Sequence, residues 1–165
     1  MILFTILWVI HIISAAIWFG AFPADLILRK SISENKGKSG ERKLISSWLK
    51  VLNISGIIGM VGILVTGVYM SILRADYSFF QFASGQNHWL YTKQFLMIVL
   101  IVVIGALLIP RAEKIRLAIQ DNLESQSSLD ESTYLNIKKL GTLATTVNII
   151  ILLNILFAAS RNLFR

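Results

Sequence analysis

The chain has 165 residues, 55% hydrophobic and 15% charged, with a formal net charge of +7 and no cysteine. So apolar a composition excludes a disordered chain and an ordinary water-soluble domain, and the lack of cysteine excludes disulfides, thiolate metal centres, iron–sulfur clusters and thiol nucleophiles. The positive charges flank apolar runs, as topology signals and anionic-lipid contacts do, so the expected partner is the lipid bilayer and no nucleic acid.

A hydrocarbon core of about 30 Å needs about 20 apolar residues in a helix. Four such spans are predicted, at about 2–28, 48–73, 89–110 and 140–160, which leaves one membrane domain over 1–165 and no separate soluble domain. Short connections join neighbours, so the expected fold is all-α, an antiparallel bundle of four transmembrane helices.

The first span begins with a run, 2–22, that carries no Asp, Glu, Lys or Arg yet contains His11. No positive charge precedes this run, while Arg29 and Lys30 follow it, so it is read as a retained helix with its N-terminus outside and not as a cleaved signal. An imidazole near the middle of a bilayer must find a protein or ligand partner, and ionisable groups at that depth mark pathways, ligands or cofactors. His11, Ser14, Trp18, Phe22 and Asp25 follow spacings of three and four, which puts them on one stripe facing the bundle interior. Packing is the simplest role for Trp18. Asp25 is read as an interfacial charge beside Arg29, and Pro23 as a kink, because it lacks the N–H that would answer residue 19.

The polar stretch 33–40 predicts a turn. In the second span Gly56, Gly59, Gly62 and Gly67, with Ser55 and Thr66 between them, allow close helix approach, and would equally let a flat porphyrin or quinone lie against the helix. The following loop carries Tyr77, Phe79, Phe80, Phe82, Trp89 and Tyr91, the composition of an aromatic belt at headgroup level.

Lys93 opens the third span. It either snorkels to the headgroups or turns inward to meet His11, a propionate or an anionic substrate. Met97 lies four residues further along, at a depth comparable to His11. His88 sits at the water boundary, roughly 10 Å from the level of His11 by helical rise, so the two histidines do not suit one bis-histidine haem. A single-histidine site, His11 with Met60, Met70 or Met97, or a site shared across a dimer stays open, as does a soft copper site. Ile115, Ile119 and Leu123 extend the third helix as an amphipathic stretch, and Ser128 with Glu131 predicts a capping box for the fourth. The two helices would then project as a hairpin offering a docking handle. Thr145, Asn148 and Asn154 are polar groups able to bond across helices, or to hold the imidazole in one tautomer.

The segments "WVIHIISAAIWFGAF", "LVTGVYMSI" and "HWLYTKQFLMIVLIVVIG" together resemble the copper-resistance-D-like proteins and the related HemJ-type membrane protoporphyrinogen oxidases of bacteria. The shared pattern falls here on His11, Trp18, Gly20, Trp89 and Lys93. The oxidase branch implies b-type haem or porphyrin chemistry with an essential histidine on the first helix and an essential lysine on the third, roles that carry over to His11 and Lys93. After Trp18 the chain reads "FGAFPADLILRK", without the Pro-Arg pair and second histidine of that branch, so the broader group is the closer match. The resemblance implies a bacterial inner-membrane redox protein with haem b held by His11 as metal ligand and Lys93 as the catalytic group; position along the spans adds Trp18, Met97 and Asn148 as expected cofactor contacts. Two other readings stay open: a cofactor-free accessory subunit of a larger membrane complex or homo-oligomer, and a copper-handling permease.

Lysine and arginine concentrate at 29–50 and 111–139, against Arg74 alone before Lys93. The positive-inside rule therefore predicts both basic stretches in the cytoplasm and both termini outside. Single cysteines introduced at Ser39 and Ser84 are expected to react with a membrane-impermeant maleimide from opposite sides of the membrane. Labelling of Ser39 from the periplasm would reverse the topology.

Overall fold

The computed structural model describes residues 2–74, 77, 79–80, 88–125 and 129–159, without the side chains of 121–125. These residues form helices and turns and no strand. Helix α1 spans Ile2–Glu34, α2 Glu41–Leu73, α3 His88–Val102, α4 Ile109–Ser125 and α5 Glu131–Ala159, with a π-helical segment, Val103–Leu108, between α3 and α4. Among the described residues, four helices are long and apolar enough to cross a membrane: Ile2–Glu34, Glu41–Leu73, His88–Gln120 and Glu131–Ala159. The first two have 33 residues each, about 50 Å of helix, so they outrun an apolar layer of about 30 Å.

Local chemistry explains the boundaries. Helix α1 runs on through Pro23, so the proline does not end it. The turn after α1 uses Gly37 at φ 75, a left-handed backbone that suits glycine. Glu41 then reaches back to accept the Gly37 N–H at 2.9 Å, starting α2 seven residues before the expected span. Apolarity marks only the part of a helix suited to lipid, and these seven residues lie outside it.

Pro110 explains the π segment. It cannot donate to the carbonyl of Ala106, and its ring crowds that carbonyl, so the helix widens ahead of it. The Ile109 N–H accordingly bonds the Ile104 carbonyl, five residues back. For α5, Asp130 supplies the cap: its Oδ1 accepts the Thr133 N–H at 3.0 Å and also the Thr133 hydroxyl, while Oδ2 accepts the Ser132 hydroxyl. The Thr133 hydroxyl, then that of Ser132, hold the Asp130 carboxyl below its ordinary pKa. The predicted pairing of Ser128 with Glu131 falls on Ser128, which lies outside the described residues.

Packing differs along the helices. Toward the basic connections, Ile32, Ile45, Trp48, Leu49, Ala112, Ile115, Ile119, Leu129 and Leu140 form one buried cluster drawn from α1, α2, α4 and α5. The apolar stripe of α4, on the hairpin read from sequence as a docking handle, is thus buried in a cluster shared with α1, α2 and α5; the Leu123 side chain lies outside the described set. A second cluster joins Trp18, Leu100, Val147 and Ile151, with Met60 and Met97 packed against it. Along the apolar spans large hydrophobic side chains face outward, with Trp8, Ile57, Tyr69, Phe95 and Ile149 all exposed. The expected aromatic belt is only partly a surface feature. Phe79 and Phe80 are exposed, Tyr91 is buried at 1% exposure, and Phe82 lies outside the described residues.

The tightest seam is α1 on α2. Trp18 sits on Gly59 and Ser14 on Gly62, so closely that a Cβ at either glycine would overlap the facing side chain. Residue numbers rise on α1 as they fall on α2, so this pair of helices runs in opposite directions. The glycines that might have received a flat ring here receive Trp18 and Ser14. Gly59→Ala is expected to cost about 1–3 kcal/mol, the usual cost of overpacking, in reversible unfolding from mixed micelles. Gly20→Ala, where an added Cβ meets nothing within 4 Å, should be close to neutral in the same assay.

Candidate functional site

His11 faces α2 from the stripe predicted for it. Its Nδ1 lies 2.8 Å from Thr66 Oγ1, and Gly67 lies beneath the ring, where a Cβ would come within 3.6 Å of Cε1. Thr66 Oγ1 is itself 2.5 Å from the Gly62 carbonyl. A carbonyl only accepts, so the single hydroxyl proton of Thr66 goes to Gly62, and Thr66 must accept the N–H of His11 Nδ1. The proton is thereby assigned to Nδ1, and Nε2 carries the lone pair. The Ile63 backbone also lies close to the ring, and no described side chain hydrogen-bonds Nε2. A buried hydroxyl fixing the distal nitrogen is how proteins orient an imidazole for a metal or for a proton.

The partner that sets the tautomer is Thr66 and not Asn148. Thr66 and Gly67 stand in the segment "LVTGVYMSI", but from sequence they read only as small residues for packing. The signal that could have singled out Thr66 is the seam itself, since Trp18 on Gly59 and Ser14 on Gly62 carry His11 to Thr66 in the same register.

The other predicted residues are dispersed. Lys93 is half-buried, with its Nζ 5.8 Å from the centre of the Trp89 ring, at the long end of a cation–π contact. It lies within electrostatic reach of His11 without touching it. Among the described residues it has no anionic partner. Trp18 and Met97 meet in the second cluster, while His88 is exposed at the start of α3. Asn148 is buried and faces the region between Trp18 and Asp25. No group of three or more His, Asp or Glu able to hold a metal occurs among the described residues.

A second polar centre lies elsewhere. Asp25, read from sequence as an interfacial charge, is fully buried at 0% exposure. Fourteen residues separate it from His11, about 21 Å along the helix. Trp48 Nε1 donates to Asp25 Oδ1 at 2.7 Å, and Arg29 Nη2 donates to Oδ2 at 2.8 Å. Arg29 continues across to α5, donating to the Gly141 carbonyl at 3.1 Å and to Thr145 Oγ1 at 3.0 Å. Gly141 leaves room for this: a Cβ there would approach Arg29 Cδ to 2.9 Å. One carboxylate and one guanidinium thus tie three helices together. The sequence placed Asp25 on the interior stripe and four residues from Arg29, but nothing in it paired either with Trp48 or Thr145.

Removing one member of a buried ion pair leaves the other uncompensated, typically at about 3–5 kcal/mol. The side chain of Arg29 is 25% exposed and that of Asp25 1%. Arg29→Met, which strands the carboxylate, should therefore destabilise by about 5 kcal/mol, and Asp25→Leu by about 3 kcal/mol. The unfolding titration used for the glycine variants measures both, and the opposite order would contradict this account of the pair.

No family model, no curated protein and no solved structure matches this chain, so its own residues carry the reading of the site.

Proposed function

We propose that this chain is a bacterial inner-membrane redox protein of the copper-resistance-D/HemJ-like kind, an antiparallel four-span bundle with both termini outside, which binds a b-type haem or related porphyrin through His11. The observation that supports it best is the hydrogen-bond relay from His11 Nδ1 through Thr66 to the Gly62 carbonyl. That relay leaves Nε2, the usual haem-ligating nitrogen, with its lone pair unused.

The donor set fits such a group in two respects. An oriented neutral imidazole suits ferrous or ferric iron, and Lys93, lacking an anionic partner among the described residues, suits a propionate or a substrate carboxylate. Bound haem would supply one-electron chemistry. The protein's part is placement: Thr66 holds the ring plane and tautomer, and Gly67 lets the imidazole lie close to α2. The cationic end of Lys93 biases the site toward a carboxylate-bearing ligand. Trp18 packs against Gly59, and Asn148 faces the region between Trp18 and Asp25, so neither is in contact with the imidazole.

Protein purified in mild detergent from haem-replete cells is expected to show a Soret band. His11→Ala should abolish it while the chain still inserts. Thr66→Val, which removes the acceptor for Nδ1–H, should weaken haem retention about 10–100-fold, the usual cost of losing such a partner. Lys93→Gln should lower occupancy far more than Lys93→Arg, since only the arginine keeps a cation. A colourless wild type would overturn the haem reading and favour a cofactor-free subunit.

A further inference from the structure

Between the two polar centres lies a cavity of about 50 Å³, where α1, α2, the π-helical segment and α5 converge. Its walls include Trp18, Leu52, Ile104, Leu108 and Val147, and three polar residues border it: Asp25, Ser55 and Asn148. Asn148 is 7% exposed, and no described residue hydrogen-bonds its side chain. An amide buried among apolar groups without a partner is costly, by about 1–3 kcal/mol in proteins and more in hydrocarbon.

The other two groups have capacity to spare. Ser55 donates its proton to the Val51 carbonyl at 2.6 Å, which leaves its oxygen free to accept. Each oxygen of Asp25 accepts one strong bond, from Trp48 or Arg29, and a carboxylate oxygen can accept a second. A buried water needs roughly 10–15 Å³ of such volume and two to four polar partners. The cavity meets both conditions, and it opens beside the helical segment that Pro110 widens.

We propose that this cavity is a water-binding site, in which a few ordered water molecules join the Asp25 carboxylate to the Asn148 amide and the Ser55 hydroxyl. The waters donate to Asp25 and Ser55, accept from the Asn148 amide, and extend the hydrogen-bonded network of Asp25 and Arg29 into the apolar middle of the fold. The site does not depend on His11 or on any porphyrin, so it stands or falls apart from the haem reading.

Radiolytic hydroxyl-radical footprinting of the full chain in nanodiscs tests the proposal, because a buried side chain is oxidised quickly only when water lies against it. After correction for intrinsic reactivity and exposure, Trp18 and Val147, which border the cavity, should be modified several-fold faster than Leu100, which is buried at 1% exposure and does not line it. Asn148→Leu should reduce modification of Val147 several-fold, and Asn148→Ser, which keeps a polar group and the space, should preserve it. Equal rates for Val147 and Leu100 in the folded wild type would overturn the proposal, and so would an unchanged Val147 rate in a folded Asn148→Leu. Should Asn148→Leu fail to fold, the wild-type comparison decides alone.

Discussion

The close approach of α1 to α2 governs much of this structure. Two glycines without side chains let Trp18 and Ser14 sit directly on the facing backbone, and every other contact along that seam inherits the register they set. Shifted by one residue, the same helices would carry His11 away from Thr66 and Asp25 away from Trp48. Van der Waals packing is the main source of helix association where the surroundings are as apolar as the side chains. A seam built from a flat indole on bare backbone maximises that packing, and it fixes where polar groups can meet.

The ionisable groups at the two ends of the seam, His11 and Asp25, are each answered from another helix. His11 is answered by Thr66, and Asp25 by Trp48 on α2 and, through Arg29, by Thr145 and Gly141 on α5. Such pairs contribute little net stability compared with apolar replacements, but leaving one half unanswered is expensive. They therefore act as a constraint on arrangement: other packings of these helices would strand a charge. The pairing at Asp25 also explains why α5, which contacts the rest more sparsely than α2 contacts α1, keeps a defined place. Arg29 reaches it as a fork of two hydrogen bonds.

The two ends of the molecule use different physics. Toward the basic connections a mixed cluster around Trp48, Ile45 and Ile115 is buried much as a soluble core is, in helices of about 50 Å that are longer than an apolar layer of about 30 Å. Toward His11 the helices carry mostly apolar side chains outward and keep Ser14, Thr66 and Ser71 buried. The π-helical segment lies between these regimes. Pro110 leaves a carbonyl without its usual donor, and the widened turn is the local answer, placed beside the cavity that Asn148 faces.

Much of this was legible in the sequence. Four apolar runs of sufficient length dictated four long helices, and a spacing of three and four put His11, Ser14, Trp18 and Asp25 on one face, because a helix has 3.6 residues per turn. The glycine pattern dictated a close seam, and chemistry singled out His11 and Lys93, since so few ionisable side chains lie within the spans. Periodicity and composition are local quantities, however, and they say nothing about which face meets which. That Thr66 rather than Asn148 holds the imidazole, that Trp48 answers Asp25, that Arg29 reaches Thr145 over a separation of 116 residues, and that the stripe of α4 is buried among residues of α1, α2 and α5 were all decided by tertiary structure. The physical reason is the same in each case: a buried polar or apolar group takes the partner that packing brings within reach, and packing depends on the relative rotation and register of helices far apart in the chain.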